Sequence, residues 1–302
     1  MRILITGGNG FIGKSIVESL NNQENQIILL DNQVNPELPS NIKQIKGDFR
    51  DKELLTEHLY DVELVIHLAA LLGVDLCEDL AKETLDANGR EACDFFDLCK
   101  KMKVKKIIYT SSSEIYGNVE NAKEDSQVSP KSDYAIAKLY SERYLRSIAN
   151  PSFKAYVVRL FSIYGKNQRD DFVISRFMKL AKSNEKLNIY GSGNQVRAFC
   201  HISDLVNAIN LCIDYYPNIE SFCLLNIGND SEPISILELA KKILELNKIK
   251  DWESRINFVP LEKTPRGANR EIFMRFPSIK KAKKLLNYTP KTSLEKGLLD
   301  FI

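Results

Sequence analysis

The first 31 residues constrain this chain more than any other stretch. Residues 1–6 (MRILIT) read as a short buried strand, the turn GGNGFIG follows at once over 7–13, and a helical pattern then runs through Ile16, Val17 and Leu20. A second apolar run, from Ile27 to Leu30, ends in Asp31. The order strand, glycine-rich turn, helix, strand, acid is the layout of a dinucleotide site. Gly7 lets the backbone turn sharply, Gly10 lets it approach a pyrophosphate without a side chain in the way, and Gly13 lets the helix sit close to the strand. Free N–H groups at the helix start, with the helix dipole, suit the anionic pyrophosphate.

Asp31 can accept hydrogen bonds from both adenosine ribose hydroxyls. A 2′-phosphate there would meet a like charge, and no Arg or Lys follows closely to offset it, so the spacing predicts NAD rather than NADP.

The rest of the composition excludes other classes. With 42 Lys and Arg against 40 Asp and Glu, the net charge of +2 gives no reason to expect nucleic acid. Lysine-rich patches at 100–106 and 280–284 lie in or beside helical patterns and read as solvated faces. No apolar run approaches the roughly 20 residues that span a bilayer. The chain enters its first core strand directly, so no leader and no membrane partner are expected. Six scattered cysteines without a CxxC pair, and only three histidines, predict neither a metal site nor a disulfide framework, and a cytoplasmic setting. His67 and His201 read as packed, hydrogen-bonded structural residues.

Strands and helices alternate through the first half. Strands are expected at 43–48, 64–70, 106–110 and 155–160, with helices at about 82–102 and 133–148. This alternation predicts an α/β fold, a Rossmann-type doubly wound parallel sheet covered on both faces, with ligands at the carboxyl ends of the strands. In the second half, helices are expected at 172–183, at 203–213 with Ser203 as N-cap, at 235–246 with a Ser235/Glu238 capping box, and at 280–286. Strands are expected at 187–193, running into a turn, and at 222–228. The expected division is an NAD-binding unit of 1–161 plus about 199–228, and a smaller mixed α/β substrate lobe of about 162–198 and 229–302.

The segment YAIAK places Tyr134 and Lys138 at i and i+4 on one helix face. A nearby ammonium stabilises a phenolate and draws the tyrosine toward ionisation near neutrality, which makes it a usable base. The strand before this helix ends in the hydroxyl cluster Ser111, Ser112 and Ser113, and Ser112 can bond the same substrate oxygen as Tyr134.

With these residues the chain resembles an extended short-chain dehydrogenase/reductase of the nucleotide-sugar epimerase, dehydratase and decarboxylase type. The resemblance runs through TGGNGFIG (6–13), GDFR (47–50), HLAA (67–70), Asn88, SSSEIYG (111–117), Tyr134 with Lys138, RLFSIYG (159–165) and YGSGNQVRAF (190–199). It implies that Gly7, Gly10, Phe11, Ile12, Gly13 and Asp31 hold NAD. Asp48 and Phe49 would flank the adenine, and Leu68, Ala69, Ala70 and Asn88 would line the cofactor path. Tyr134 would take the proton of the sugar 4-hydroxyl, Lys138 would bond the nicotinamide ribose and tune Tyr134, and Ser112 would steady the oxygen. Arg197 and Arg266 would hold the nucleotide diphosphate, a task suited to a fixed guanidinium fork, with Ser113, Ser162 and Arg275 also facing substrate. Relatives pair as homodimers through the helices that match 82–102 and 133–148, so a homodimer is implied.

All members of this group begin by making a 4-keto sugar. A 4,6-dehydratase carries Asp-Glu just after the catalytic hydroxyl; here Ser113 and Glu114 stand there, which argues against that reaction. UDP-glucuronate decarboxylases carry Ser-Glu at that spot, and their catalytic Arg lies in an Arg-Lys-Pro segment that Arg275, Phe276 and Pro277 resemble. Phe276 removes a charge that would help to bind a carboxylate. Glu114 has two readings, a working acid or base beside C5 or a contact to sugar hydroxyls, and the second is preferred. The run Arg197, Ala198 and Phe199 is also similar to the decarboxylases, where most relatives have Asp in place of Ala198, and Ser162 replaces a usual Asn, which implies altered substrate placement. An NAD-sensing regulator on the same fold is disfavoured by the intact Ser112, Tyr134 and Lys138. The expected activity is a UDP-sugar 4-epimerase with tightly held NAD, and the alternative is a UDP-glucuronate decarboxylase.

Overall fold

The computed structural model describes residues 1–21, 24–215, 220–264 and 267–302. Its first unit alternates β1 (Arg2–Thr6), α1 (Phe11–Leu20), β2 (Gln26–Asp31), β3 (Lys43–Lys46), α2 (Lys52–His58), β4 (Leu64–His67), α3 (Val74–Asp79), α4 (Ala81–Leu85), α5 (Glu91–Lys101) and β5 (Lys106–Ser112). Then follow β6 (Val119–Ala122), α6 (Asp133–Ile148), β7 (Lys154–Leu160), β8 (Ile163–Tyr164), α7 (Val173–Lys182), β9 (Leu187–Tyr190), β10 (Val196–Ala198), β11 (Cys200–His201), α8 (Ile202–Tyr215) and β12 (Phe222–Ile227). The last part contains β13 (Pro233–Ser235), α9 (Ile236–Leu246), β14 (Ile256–Val259), α10 (Gly267–Arg270), β15 (Met274–Pro277), α11 (Lys280–Leu286) and α12 (Leu294–Leu299).

Seven strands form one sheet in the order β12-β7-β5-β4-β1-β2-β3, and every pairing in it is parallel. Apolar residues occupy both faces of the strands, as a sheet covered on two sides requires. In β1, Ile3 and Ile5 join the core containing Ile16, Val17 and Leu205, whereas Leu4 points into the opposite core with Val65, Phe95 and Phe96. Truncating Phe95 or Phe96 to Ala is expected to cost about 3–5 kcal/mol, because each fills a site sealed on all sides. The strand order reverses between β1 and β4, so the crevice for a ligand opens where Gly7 and Ala69 follow those two strands.

A second, four-stranded sheet has the order β13-β10-β15-β6. β6 belongs to it although it follows β5 directly in the chain, so the segment leaving Ser112 is shared between the two sheets. A separate core of Phe177, Leu187, Ile189, Leu239 and Ile243 supports this side.

Several local expectations shift. The expected strands at 43–48 and 64–70 end at Lys46 and His67, because the residues beyond them turn into the crevice. The expected helix at 82–102 contains a π-helical turn at Asp86–Arg90 between α4 and α5. Ser203 does not cap α8: the helix already includes Ile202, and the Ser203 hydroxyl pairs with His201 Nδ1 at 2.8 Å and Thr292 at 3.1 Å. The Ser235/Glu238 capping box is present.

Candidate active site

The glycine-rich turn is built for close approach. Gly7 has φ +69°, in the left-handed region, and a Cβ there would lie 2.8 Å from Ala69 N. A Cβ on Gly13 would lie 2.5 Å from the Gly8 carbonyl oxygen. Gly13 therefore lets α1 sit on the turn's own carbonyls rather than on the strand. Gly10 is the N-cap of α1 and offers no side-chain acceptor to the first-turn N–H groups, which leaves that end suited to an anion. Phe11 and Ile12 begin the helix, both partly buried. Asp31 accepts from Asn9 N–H at 3.0 Å and Gln33 N–H at 3.1 Å, which fixes its carboxylate at the end of β2 beside the turn. This cradle fits NAD.

The walls of the crevice follow from β4. Thr6 Oγ1 lies 2.7 Å from His67 Nδ1 and accepts from Ala69 N–H at 3.3 Å, while Leu68 N–H donates to Thr6 O at 3.1 Å. Ala70 follows, partly exposed. His67 is packed among Phe49, Phe95, Phe96 and Tyr109, and burial holds its imidazole well below the usual range. Its role is structural. Phe49 meets His67 edge-on at 5.1 Å between ring centroids. Asp48 is gripped by Arg50, whose guanidinium lowers its carboxyl below the ordinary value. Asn88, expected along the cofactor path, clamps the backbone of Leu71. Its Nδ2 donates to Leu71 O at 2.9 Å and its Oδ1 accepts Leu71 N–H at 2.8 Å. It shapes the loop that lines the path.

Tyr134 lies in the first turn of α6, and Ser132 caps that helix by accepting Ala135 N–H at 3.2 Å. Lys138 is 2 % exposed; its Nζ donates to Thr110 O at 3.0 Å and stands 5.9 Å from the Tyr134 ring centroid. Ser112, at the end of β5, stands close enough to the Tyr134 hydroxyl to ease its ionisation, and its own hydroxyl accepts Glu114 N–H at 3.2 Å. The fold thus brings Ser112, Tyr134 and Lys138 to one place. The electrostatics differ from the expectation. Burial, and then the Glu114 carboxylate, push the Tyr134 phenol up, while Ser112 and Arg275 act the other way. Burial also lowers the Lys138 amine to about 7, against the pull of Glu142. The Lys138 amine is therefore only partly charged near pH 7, and in the protein alone the tyrosine is held protonated.

Glu114 and Arg275 come from distant segments and meet here. Arg275 Nη1 lies 3.1 Å from Glu114 Oε1, and Ser132 Oγ donates to Glu114 Oε2 at 3.4 Å. Arg197 and Arg275 are cross-strand neighbours on β10 and β15. Arg197 Nη2 lies 3.4 Å from Glu271 Oε1. Two guanidinium groups therefore stand side by side, each with a carboxylate partner. Ser113 is buried below Ser112. Ser162 adopts φ +41°, a backbone state that Asn tolerates better than Ser, and its carbonyl accepts Cys200 N–H at 3.1 Å. Arg266 lies outside the described residues.

Sequence reasoning missed Ser132, Glu271 and Cys77. Ser132 carries a readable signal, a Ser directly before a helical pattern. Cys77 of α3 is buried beside this cluster with its thiol pushed up by burial, which no local pattern reveals. Arg270 of α10 pairs with Glu78 of α3 and ties the two sides of the crevice.

Comparison with known proteins agrees with this geometry. The family model described as the NAD dependent epimerase/dehydratase family matches residues 3–228. A UDP-N-acetyl-alpha-D-glucosaminuronate decarboxylase of Bacillus cytotoxicus is 32% identical over 317 residues, covering 100% of this chain and 96% of the relative. The UDP-glucuronic acid 4-epimerase of Bacillus cereus, solved with UDP-glucuronic acid and NAD, superposes with a TM-score of 0.87 at 27% identity, covering 99% and 97% of the two chains. MoeE5, solved with UDP-glucose and NAD, superposes with a TM-score of 0.88 at 28% identity and the same coverage. The two solved chains share this fold and were solved with NAD bound, while the names of the decarboxylase and of the 4-epimerase point to different reactions. The chain belongs to the NAD dependent epimerase/dehydratase family.

Proposed function

We propose that this protein is a UDP-sugar 4-epimerase. The observation that carries the reading is the convergence of Ser112, Tyr134 and Lys138 beside the glycine-rich cradle. Bound NAD supplies the oxidant that takes hydride from sugar C4 and returns it. Tyr134 removes the 4-hydroxyl proton, and Ser112 donates a hydrogen bond to the same oxygen. Lys138 steadies the resulting phenolate from one helical turn away. Arg197 and Arg275 offer the guanidinium forks suited to a diphosphate and to sugar oxygens.

The Glu114–Arg275 pair bears on the reaction that follows. Glu114 balances the Arg275 charge, so a neutral sugar can enter without displacing an ion pair. Ser113 replaces the acid that a dehydratase places before Glu114. A second reading, decarboxylation of a UDP-hexuronate, is supported by the same Arg275 and by the likeness to the Bacillus cytotoxicus decarboxylase. In that case the substrate carboxylate replaces Glu114 as the partner of Arg275.

The NAD-binding unit is proposed to span 1–161 with about 199–228, and the remainder to carry the nucleotide sugar. A homodimer is proposed through α3, α4 and α6. Leu76, Leu80, Leu85, Ile136 and Tyr140 are all exposed there, an apolar surface of the kind that partners cover. Among the described residues, no helix is long and apolar enough to cross a membrane.

Incubation with UDP-glucose, UDP-N-acetylglucosamine and UDP-glucuronate, followed by proton NMR, tests the reading. A C4-inverted hexose is expected. A pentose product with release of CO₂ establishes the second reading instead.

A further inference from the structure

Behind the catalytic helix lies a buried ion pair that the chemistry above does not use. Glu142 and Arg159 are each 3 % exposed. Arg159 Nε donates to the two Glu142 oxygens at 3.0 and 3.2 Å, and Nη2 donates to Oε2 at 2.7 Å. Arg159 Nη1 donates to the Tyr116 hydroxyl at 2.7 Å, and that hydroxyl donates to Asn226 Oδ1 at 2.7 Å. The network joins α6 to β7, to the turn that follows Ser112, and to β12. Arg159 also lies in register beside Ser111. Two charges withdrawn from water gain little net stability from each other. The lasting consequence of the pair is where it fixes charge and which segments it locks together.

Glu142 is one helical turn beyond Lys138, on the same face of α6. We propose that Glu142 is a positioning residue for Lys138: clamped by Arg159, and four residues beyond Lys138 on the same face of α6, it favours the charged amine, while the clamp holds α6 against the Ser112 segment. This rests on the reading of Lys138 as the partner of Tyr134. The groups around Lys138 are Tyr134 and Glu142 on α6, Tyr109 and Thr110 on β5, His67 on β4 and Cys77 on α3, with the Arg159 guanidinium of β7 bonded to the far partner Glu142. Burial pushes Cys77, Tyr109 and Tyr134 up and His67 down, so all four are neutral near pH 7. Glu142 is then the member of this set that supplies negative charge.

The test reads Lys138 directly and needs no sugar turnover. Full-length protein labelled with ¹³C at lysine Cε is titrated by NMR, and the Lys138 signal is assigned by its loss in Lys138→Arg. In Glu142→Gln, which keeps an oxygen for Arg159, the midpoint is expected to fall by about one pH unit. Glu142→Asp should restore most of the difference. If Glu142→Gln does not fold, the double variant Glu142→Gln/Arg159→Gln, which leaves no unpaired buried charge, takes its place and should also titrate below wild type. A wild-type midpoint in whichever of the two is folded overturns the proposal. A failure of the sugar assays leaves this result standing and refutes only the assigned reaction.

Discussion

Arg275 Nη1 and Glu114 Oε1 meet at 3.1 Å across 161 residues of sequence, and both act on the Tyr134 phenol with opposite sign. The pair is thus a charge control on the proposed base. Glu114 disfavours the phenolate, so its removal must make Tyr134 easier to ionise. In Glu114→Gln the acidic limb of the kcat/KM profile is expected to move to lower pH by up to about one unit. A limb that stays in place or moves up contradicts this.

Lys138 bears on stability as well as chemistry. Its folded pKa of about 7 lies below the unfolded value of about 10.4. The unfolded chain therefore binds the proton more tightly. The resulting destabilisation is absent above about pH 10.4, grows as pH falls toward 7, and is constant below that. Lys138→Met is expected to raise the melting temperature at pH 7 on the order of 5 °C while abolishing turnover. Calorimetry at pH 7 and pH 11 checks this, because the gain should shrink at the higher pH.

Gly7→Ala forces a side chain into a left-handed residue whose Cβ would meet Ala69 N at 2.8 Å. A loss of about 1–3 kcal/mol is expected, with NAD binding weakened at least tenfold. Denaturant titration and equilibrium dialysis against NAD measure the two effects separately.

Asp31→Ser removes the charge that would oppose a 2′-phosphate while keeping a short acceptor for Asn9 N–H. The ratio of NADP to NAD affinity is expected to rise at least tenfold. An unchanged ratio would show that selectivity lies elsewhere.

The parts legible in the sequence are those set by neighbours in the chain. Gly7, Gly13 and Asp31 could be read because a strand, a tight turn and a helix succeed one another within 31 residues, and Tyr134 and Lys138 because a helix repeats every 3.6. The Glu114–Arg275 pair depends on β6 and β15 pairing in the second sheet, with Arg275 opposite Val119. No spacing announces that, and only the family resemblance pointed to Arg275. The surroundings of Tyr134 were only partly legible for a related reason. Position i+4 places Lys138 near, but its burial, which lowers its affinity for a proton, comes from β5 and the turns around it. That the Asn88 amide holds the Leu71 backbone was not legible, because the two are 17 residues apart.

The most direct test of the account compares purified wild type with Tyr134→Phe. NAD released on denaturation is quantified by chromatography, and conversion of UDP-sugars is followed by NMR. Both proteins are expected to carry or take up NAD, and only the wild type to turn over, with a loss of at least 10²-fold in the variant. Turnover by Tyr134→Phe within tenfold of wild type would contradict the assignment of Tyr134 as the base.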